Sequence, residues 1–99
     1  MGVIRLKHKQ MNARKDYNNM RHPRFKIMEI NIENGIRTEK IWSKSLMFKN
    51  DAARIMNFLN KKNAEFTDVN NSHYWVVVDK NHNTVLTQRI REIVELRNK

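Results

Sequence analysis

The sequence predicts an α+β domain of two β-hairpins, each followed by a helix (ββαββα), with a mostly antiparallel sheet and a basic N-terminal arm. Three observations lead there: an Asn34-Gly35 pair between two β-prone runs, an apolar stripe at helical spacing from Ala52 to Leu59, and a return of the hairpin-then-helix order over 73–97. In that order the sheet has four strands and both helices share one face.

The first hairpin rests on Asn34-Gly35, because a type I′ turn needs positive φ at both central residues and this pair accepts it at least cost. A two-residue turn fixes the register. Glu29 then faces Lys40 and Ile27 faces Trp42 on one side, while Met28 meets Ile41 and Ile30 meets Glu39 on the other. Neither side is cleanly polar. The stretch 43–49 crosses to a helix, with Leu46, Met47 and Phe48 expected to anchor it to the core. Asn50 is the expected N-cap and Asp51 suits the first turn, while Ala52, Ile55, Met56 and Leu59 fall at i, i+3, i+4 and i+7. Arg54, Asn57 and Lys61 take the opposite side.

A polar stretch ending Asn70-Asn71-Ser72 precedes the most β-prone run of the chain, 73–78. The hexad 79–84 supplies a turn in which Asn81 or His82 takes the left-handed conformation before Val85, Leu86 and Thr87 pair back. Residues 88–97 then read as an amphipathic helix, with Ile90, Ile93 and Val94 on one side and an Arg91–Glu95 pair at i, i+4.

Charge divides the chain into an arm over 1–24 and a domain over 25–99. The protein has 99 residues, 20 Lys and Arg against 10 Asp and Glu, and a formal charge of +10. Seven of those cations, Arg5, Lys7, Lys9, Arg14, Lys15, Arg21 and Arg24, stand in the first 24 residues beside one acid, Asp16. High charge with little apolar material favours folding on a partner, and Pro23, the sole proline, marks the entry to the domain. A short strand at 3–7 and a helical turn at 11–20 are the local structures the arm allows.

Several function classes find no support. Cysteine is absent, which removes disulfides, thiolate metal sites and cysteine nucleophiles and fits a reducing cytoplasm. Two glycines cannot build a phosphate-cradling loop, and the four histidines, His8, His22, His73 and His82, show no metal-ligand spacing. No metal or cofactor is therefore expected. No apolar run approaches the ~18 residues of a membrane span, and the N-terminus lacks a signal-peptide pattern, so neither a membrane partner nor export is expected. A metal-independent ribonuclease would need His73, Tyr74 and Lys80 to converge, and adjacent strand residues point to opposite faces. An enzyme is not the expected reading.

The cations carry the functional signal. A mobile basic arm gains affinity for polyphosphates by releasing counterions and needs no preformed pocket. The expected contacts are Arg5, Lys7, Lys9, Arg14, Lys15, Arg21 and Arg24, with Tyr17 stacking on an unpaired base and Arg54, Lys61 and Lys62 extending the surface. Trp42 and Trp75 sit among β-branched residues, where core packing is the commoner role. The leading expectation is a non-enzymatic nucleic-acid-binding protein, with RNA ahead of DNA because neither helix resembles a recognition helix. Fourteen asparagines with abundant lysine and isoleucine suit an AT-rich genome and an accessory protein of a bacterial virus acting in its host's cytoplasm. The alternative is a counter-defence or takeover factor that inhibits an acidic host protein by direct contact. A homodimer formed over one apolar sheet face is a further partner option.

Overall fold

A computed structural model describes residues 22–99. The arm positions up to Arg21, with the strand at 3–7 and the turn at 11–20, lie outside the described residues. The elements run β1 (Lys26–Glu33), β2 (Ile36–Ile41), α1 (Lys49–Asn63), β3 (Glu65–Asp68), β4 (Asn71–Val78), β5 (Thr84–Leu86) and α2 (Ile90–Arg97). The α+β class and the antiparallel sheet are as the sequence predicts, with one strand more.

The first hairpin has the predicted register, pairing Met28 with Ile41, Glu29 with Lys40 and Ile30 with Glu39. Asn34 and Gly35 both have positive φ, 52° and 80°, as the turn requires. The Trp42 N–H extends the pairing by donating to the Ile27 carbonyl at 2.8 Å.

The sheet is built around β4. One edge of β4 pairs with β1 along seven residue pairs, from Lys26–Val78 to Ile32–Ser72. Its other edge is shared by two short strands: β3 pairs near Asn71, Ser72 and His73, and β5 pairs at Val77 and Val78. Strand β3 is the element the sequence reading passed over, taking 65–72 as a polar connection. Glu65, Phe66, Thr67 and Asp68 hold one large apolar residue among them, so their extended form comes from β4 and not from alternation of their own. Asp68 then closes a tight turn, its Oδ1 accepting from the Asn70 N–H at 2.8 Å and the Asn71 amide at 3.1 Å.

Between β3 and β5 a rung of the ladder is missing, and a helix side chain supplies it. The Trp75 N–H donates to Asn60 Oδ1 at 2.8 Å, and Asn60 Nδ2 donates back to the Trp75 carbonyl at 2.9 Å. The carboxamide thus stands in for a peptide group of the absent strand. Asn60 is fully buried, and this pair of hydrogen bonds is what makes a buried asparagine tolerable on the apolar side of α1.

Helix α1 covers the face formed by Ile27, Trp75 and Val77. Its Ala52, Met56 and Leu59 are buried there and Ile55 packs beside them, as the stripe predicts. The N-cap differs. Phe48 occupies that position in extended conformation with no side-chain capping bond, and Asn50 lies inside the first turn. The antiparallel bridge between Phe25 and Met47 brings the chain into the helix two residues sooner, so backbone pairing sets the start where a capping side chain was expected. Of the expected anchors only Met47 packs into the core; Leu46 and Phe48 remain more than a third exposed.

Helix α2 does not share that layer. Its Ile90 and Val94 cluster with Ala64, Phe66 and Tyr74, and the register puts Phe66 and Tyr74 on the side opposite Trp75 and Val77. The helix therefore closes the β3 edge and does not pair with α1 on one face. That opposite side also carries Met28, Ile30, Val76 and Val78, all buried, with Ile32 and Ile41 packed against them. The predicted Arg91–Glu95 pair forms at 3.1 Å, and His82 adopts the left-handed conformation at φ 64°.

Candidate nucleic-acid interface

Of the eleven residues the sequence singles out, Arg5, Lys7, Lys9, Arg14, Lys15, Tyr17 and Arg21 lie outside the described residues. Arg24, Arg54, Lys61 and Lys62 lie within them, and all four are exposed. Three stand on the outer side of α1, a helix of 15 residues and so about 22 Å long. Arg24 stands where the chain enters the domain, and its N–H donates to the Met47 carbonyl at 3.1 Å, two residues before α1 begins. Arg24 therefore stands at the N-terminal end of the helix whose outer side carries Arg54, Lys61 and Lys62.

Phe58 is a member of this surface that the sequence reading missed. It is 61% exposed, one turn after Arg54 and one turn before Lys61 and Lys62, an aromatic ring flanked by cations. The signal was present in the helical phase. Phe58 is one residue ahead of Leu59 and so about 100° off the buried stripe, where a large apolar residue has nothing to bury against.

The ridge cations form no ion pair with any of the described residues. Four ion pairs occur among the described residues, Arg37–Glu39, Glu29–His73, Arg89–Glu92 and Arg91–Glu95, and none uses Arg24, Arg54, Lys61 or Lys62. Asp51, in the first turn of α1 and three residues before Arg54, forms no ion pair either.

A hollow of about 460 Å³ lies beside the ridge, between the C-terminal half of α1 and α2. Ile93 and Leu96 give it apolar wall, and Asn57, Lys61, Lys62 and Gln88 give it a polar margin. Arg97 fixes its end, because the guanidinium donates to the Lys61 carbonyl at 3.0 Å and also to the Ala64 carbonyl, satisfying the last carbonyls of α1. Leu96 is 70% exposed along this wall.

The trio considered for ribonuclease chemistry is not assembled. His73 is on the α1 side of β4, where its Nε2 meets Glu29 Oε2 at 2.6 Å and its ring tilts against Trp75 at 4.7 Å. Tyr74 points to the other face, and Lys80 lies beyond the far end of the strand. Among the described residues no group of three His, Asp or Glu gathers at metal-binding distance. Trp75 is buried, as expected, whereas Trp42 is 46% exposed at the opposite end of the sheet from the hairpin turn. Comparison with family models, with curated proteins and with solved structures finds no match for the chain.

Proposed function

We propose that the protein binds nucleic acid without catalysing a reaction, RNA ahead of DNA, holding phosphates with the 1–24 arm and the outer side of α1. The observation that carries this reading is Phe58, exposed between Arg54 and Lys61/Lys62, with no carboxylate of the described residues paired to those cations. Cations spaced along a groove or ridge with an aromatic ring among them combine phosphate neutralisation with stacking on a base, and neither term depends on sequence. A formal charge of +10 adds long-range attraction to the same partner. The reading places the protein in the cytoplasm, of a host cell if it is virus-encoded. No helix of the described residues is long and apolar enough to cross a membrane.

The test is a salt titration of binding to a single-stranded oligonucleotide. The logarithm of the affinity should fall linearly with the logarithm of salt, by about 0.7 per phosphate engaged. Phe58→Ala should weaken binding by about 1–3 kcal/mol without lowering the melting temperature, since the ring buries little in the free protein. If binding proves independent of salt, or survives only as a nuclease-resistant contact with another protein, the surface is a protein-docking one and the inhibitor reading replaces this one.

A further inference from the structure

The middle of one side of the sheet is buried although neither α1 nor α2 lies over it. Met28, Ile30, Val76 and Val78 point away from α1 and are at most 4% exposed, with Ile32, Ile41 and Tyr74 packed against them. Every member of that cluster belongs to a strand. Each of the other three clusters contains helix residues: Ile55 and Leu59, Ala52 and Met56, or Ile90 and Val94. Helix α1 lies over the opposite side, and α2 meets this one near the β3 edge, at Phe66 and Tyr74. Strand side chains shield one another sideways but not from above, so burial this complete at Ile30 and Val76 calls for a second layer.

The sequence ahead of β1 carries a pattern that fits this layer. Val3, Leu6, Gln10, Ala13, Tyr17 and Met20 follow one another at alternating steps of three and four, a stripe along one side of a helix in which Gln10 is the sole polar member. Ile4 and Met11 fall off the stripe, and no Lys or Arg stands on it. Neither glycine nor proline interrupts 3–22, and Pro23 disfavours helix at the residue before it. A helix from Val3 to Met20 is about 27 Å long, close to the ~26 Å of the eight-residue β1. Lys26 begins β1 beside Val78, at one end of the apolar side, and positions 21–25 match the usual length of a helix-to-strand connection. We propose that residues 3–20 are the missing layer, an amphipathic helix laid along β1 and β4 with Val3, Leu6, Ala13, Tyr17 and Met20 against Met28, Ile30, Val76 and Val78. The sheet then lies between two helices, and the cations of the segment form a second ridge across the sheet from Arg54, Lys61 and Lys62. This inference does not depend on the nucleic-acid reading.

The chain has no cysteine, so a nitroxide can be attached at one chosen position of the full protein. With the label on Asn12→Cys, off the stripe, the methyl signals of Ile30 and Val76 should broaden more than those of Met56 and Leu59, which pack on the other side of the sheet. A mixture of labelled chain with unlabelled, isotope-enriched chain should leave all four signals sharp. Broadening of Ile30 and Val76 in the mixture puts a second copy of the chain on this side and overturns the intramolecular layer; equal broadening on both sides, or none, overturns it too. Leu6→Ala should lower the melting temperature of the full chain by about 10 °C or more, as loss of a buried leucine does, while His8→Ala, on the far side of the same helix, should leave it unchanged. Equal melting temperatures for the parent and both variants overturn the stripe.

Discussion

Replacing Asn60 by alanine removes the only group among the described residues that pairs with the Trp75 backbone on the outer edge of β4, between the reach of β3 and that of β5. Two buried backbone groups lose their partners, and each costs about 1–3 kcal/mol when left unpaired. Alanine returns about 0.5 kcal/mol through its better helix propensity. The net loss is then about 2–5 kcal/mol, a large share of the roughly 5–15 kcal/mol that holds a domain folded. At about 4–8 °C per kcal/mol for a domain of this size, the melting temperature should fall by at least ~10 °C. Urea denaturation followed by circular dichroism measures the loss, provided the m-value is unchanged. Asn60→Asp sharpens the test, because a carboxylate would set its oxygens against the Trp75 carbonyl and Gln88 Oε1, two acceptors. Folding pushes that carboxyl's pKa up, so the variant's stability is greatest below the ordinary Asp range and is lost as pH rises. An alanine variant within about 1 kcal/mol of the parent, or an aspartate variant indifferent to pH, would refute the assignment of Asn60 as a rung of the sheet.

Other outcomes follow from the same geometry. Gly35→Val should cost about 1–2 kcal/mol, since φ is +80° there; the nearest side-chain atom to an added Cβ is Asn70 Oδ1 at 3.6 Å, so the loss comes from backbone strain and not from a clash, and equal melting temperatures would contradict it. Arg97→Ala should cost about 1 kcal/mol by stripping the Lys61 and Ala64 carbonyls of a donor, read as a lower urea midpoint. Changing Arg14, Lys15, Arg21 and Arg24 together to Glu should flatten the salt dependence of binding and weaken all sequences alike, with little effect on melting. Trp75→Ala should destabilise by about 3–5 kcal/mol, as the residue is only 5% exposed and packs among Ile27, Leu59, Met47 and Ile55.

What the sequence made legible was whatever depends on local rules. The β1–β2 register follows from a two-residue turn whose chemistry is explicit in Asn34-Gly35, and the buried side of α1 follows from spacing alone. Strand β3 was illegible because its pairing partner, not its own pattern, holds it extended. The start of α1 was misjudged by two residues because a bridge between Phe25 and Met47, 22 positions apart, outweighs a capping preference worth about 1 kcal/mol. At the surface, Arg54, Lys61 and Lys62 were found by charge, and they do share one side of one helix. Phe58 was not singled out because the sequence argument followed charge along this helix, and the aromatic signal lies in its helical phase. The Asn57–Gln88–Asn60 chain was beyond reach, since amide orientation is a property of three side chains brought together from α1 and the β5–α2 connection.

The rung that Asn60 provides also ties together two counts that proteins ordinarily keep separate. A helix advances about 100° per residue and a strand alternates every residue, so the phase of one normally says nothing about the other. Here a single deletion or insertion anywhere between Lys49 and Asn60 would swing the carboxamide out of the sheet plane while leaving every residue of β4 in place. Length changes should therefore be tolerated in the 79–83 turn or in the 42–48 connection, and refused inside the first eleven residues of α1. The helix in this protein is a ruler for the sheet, and its length to Asn60 is a structural constant of the fold.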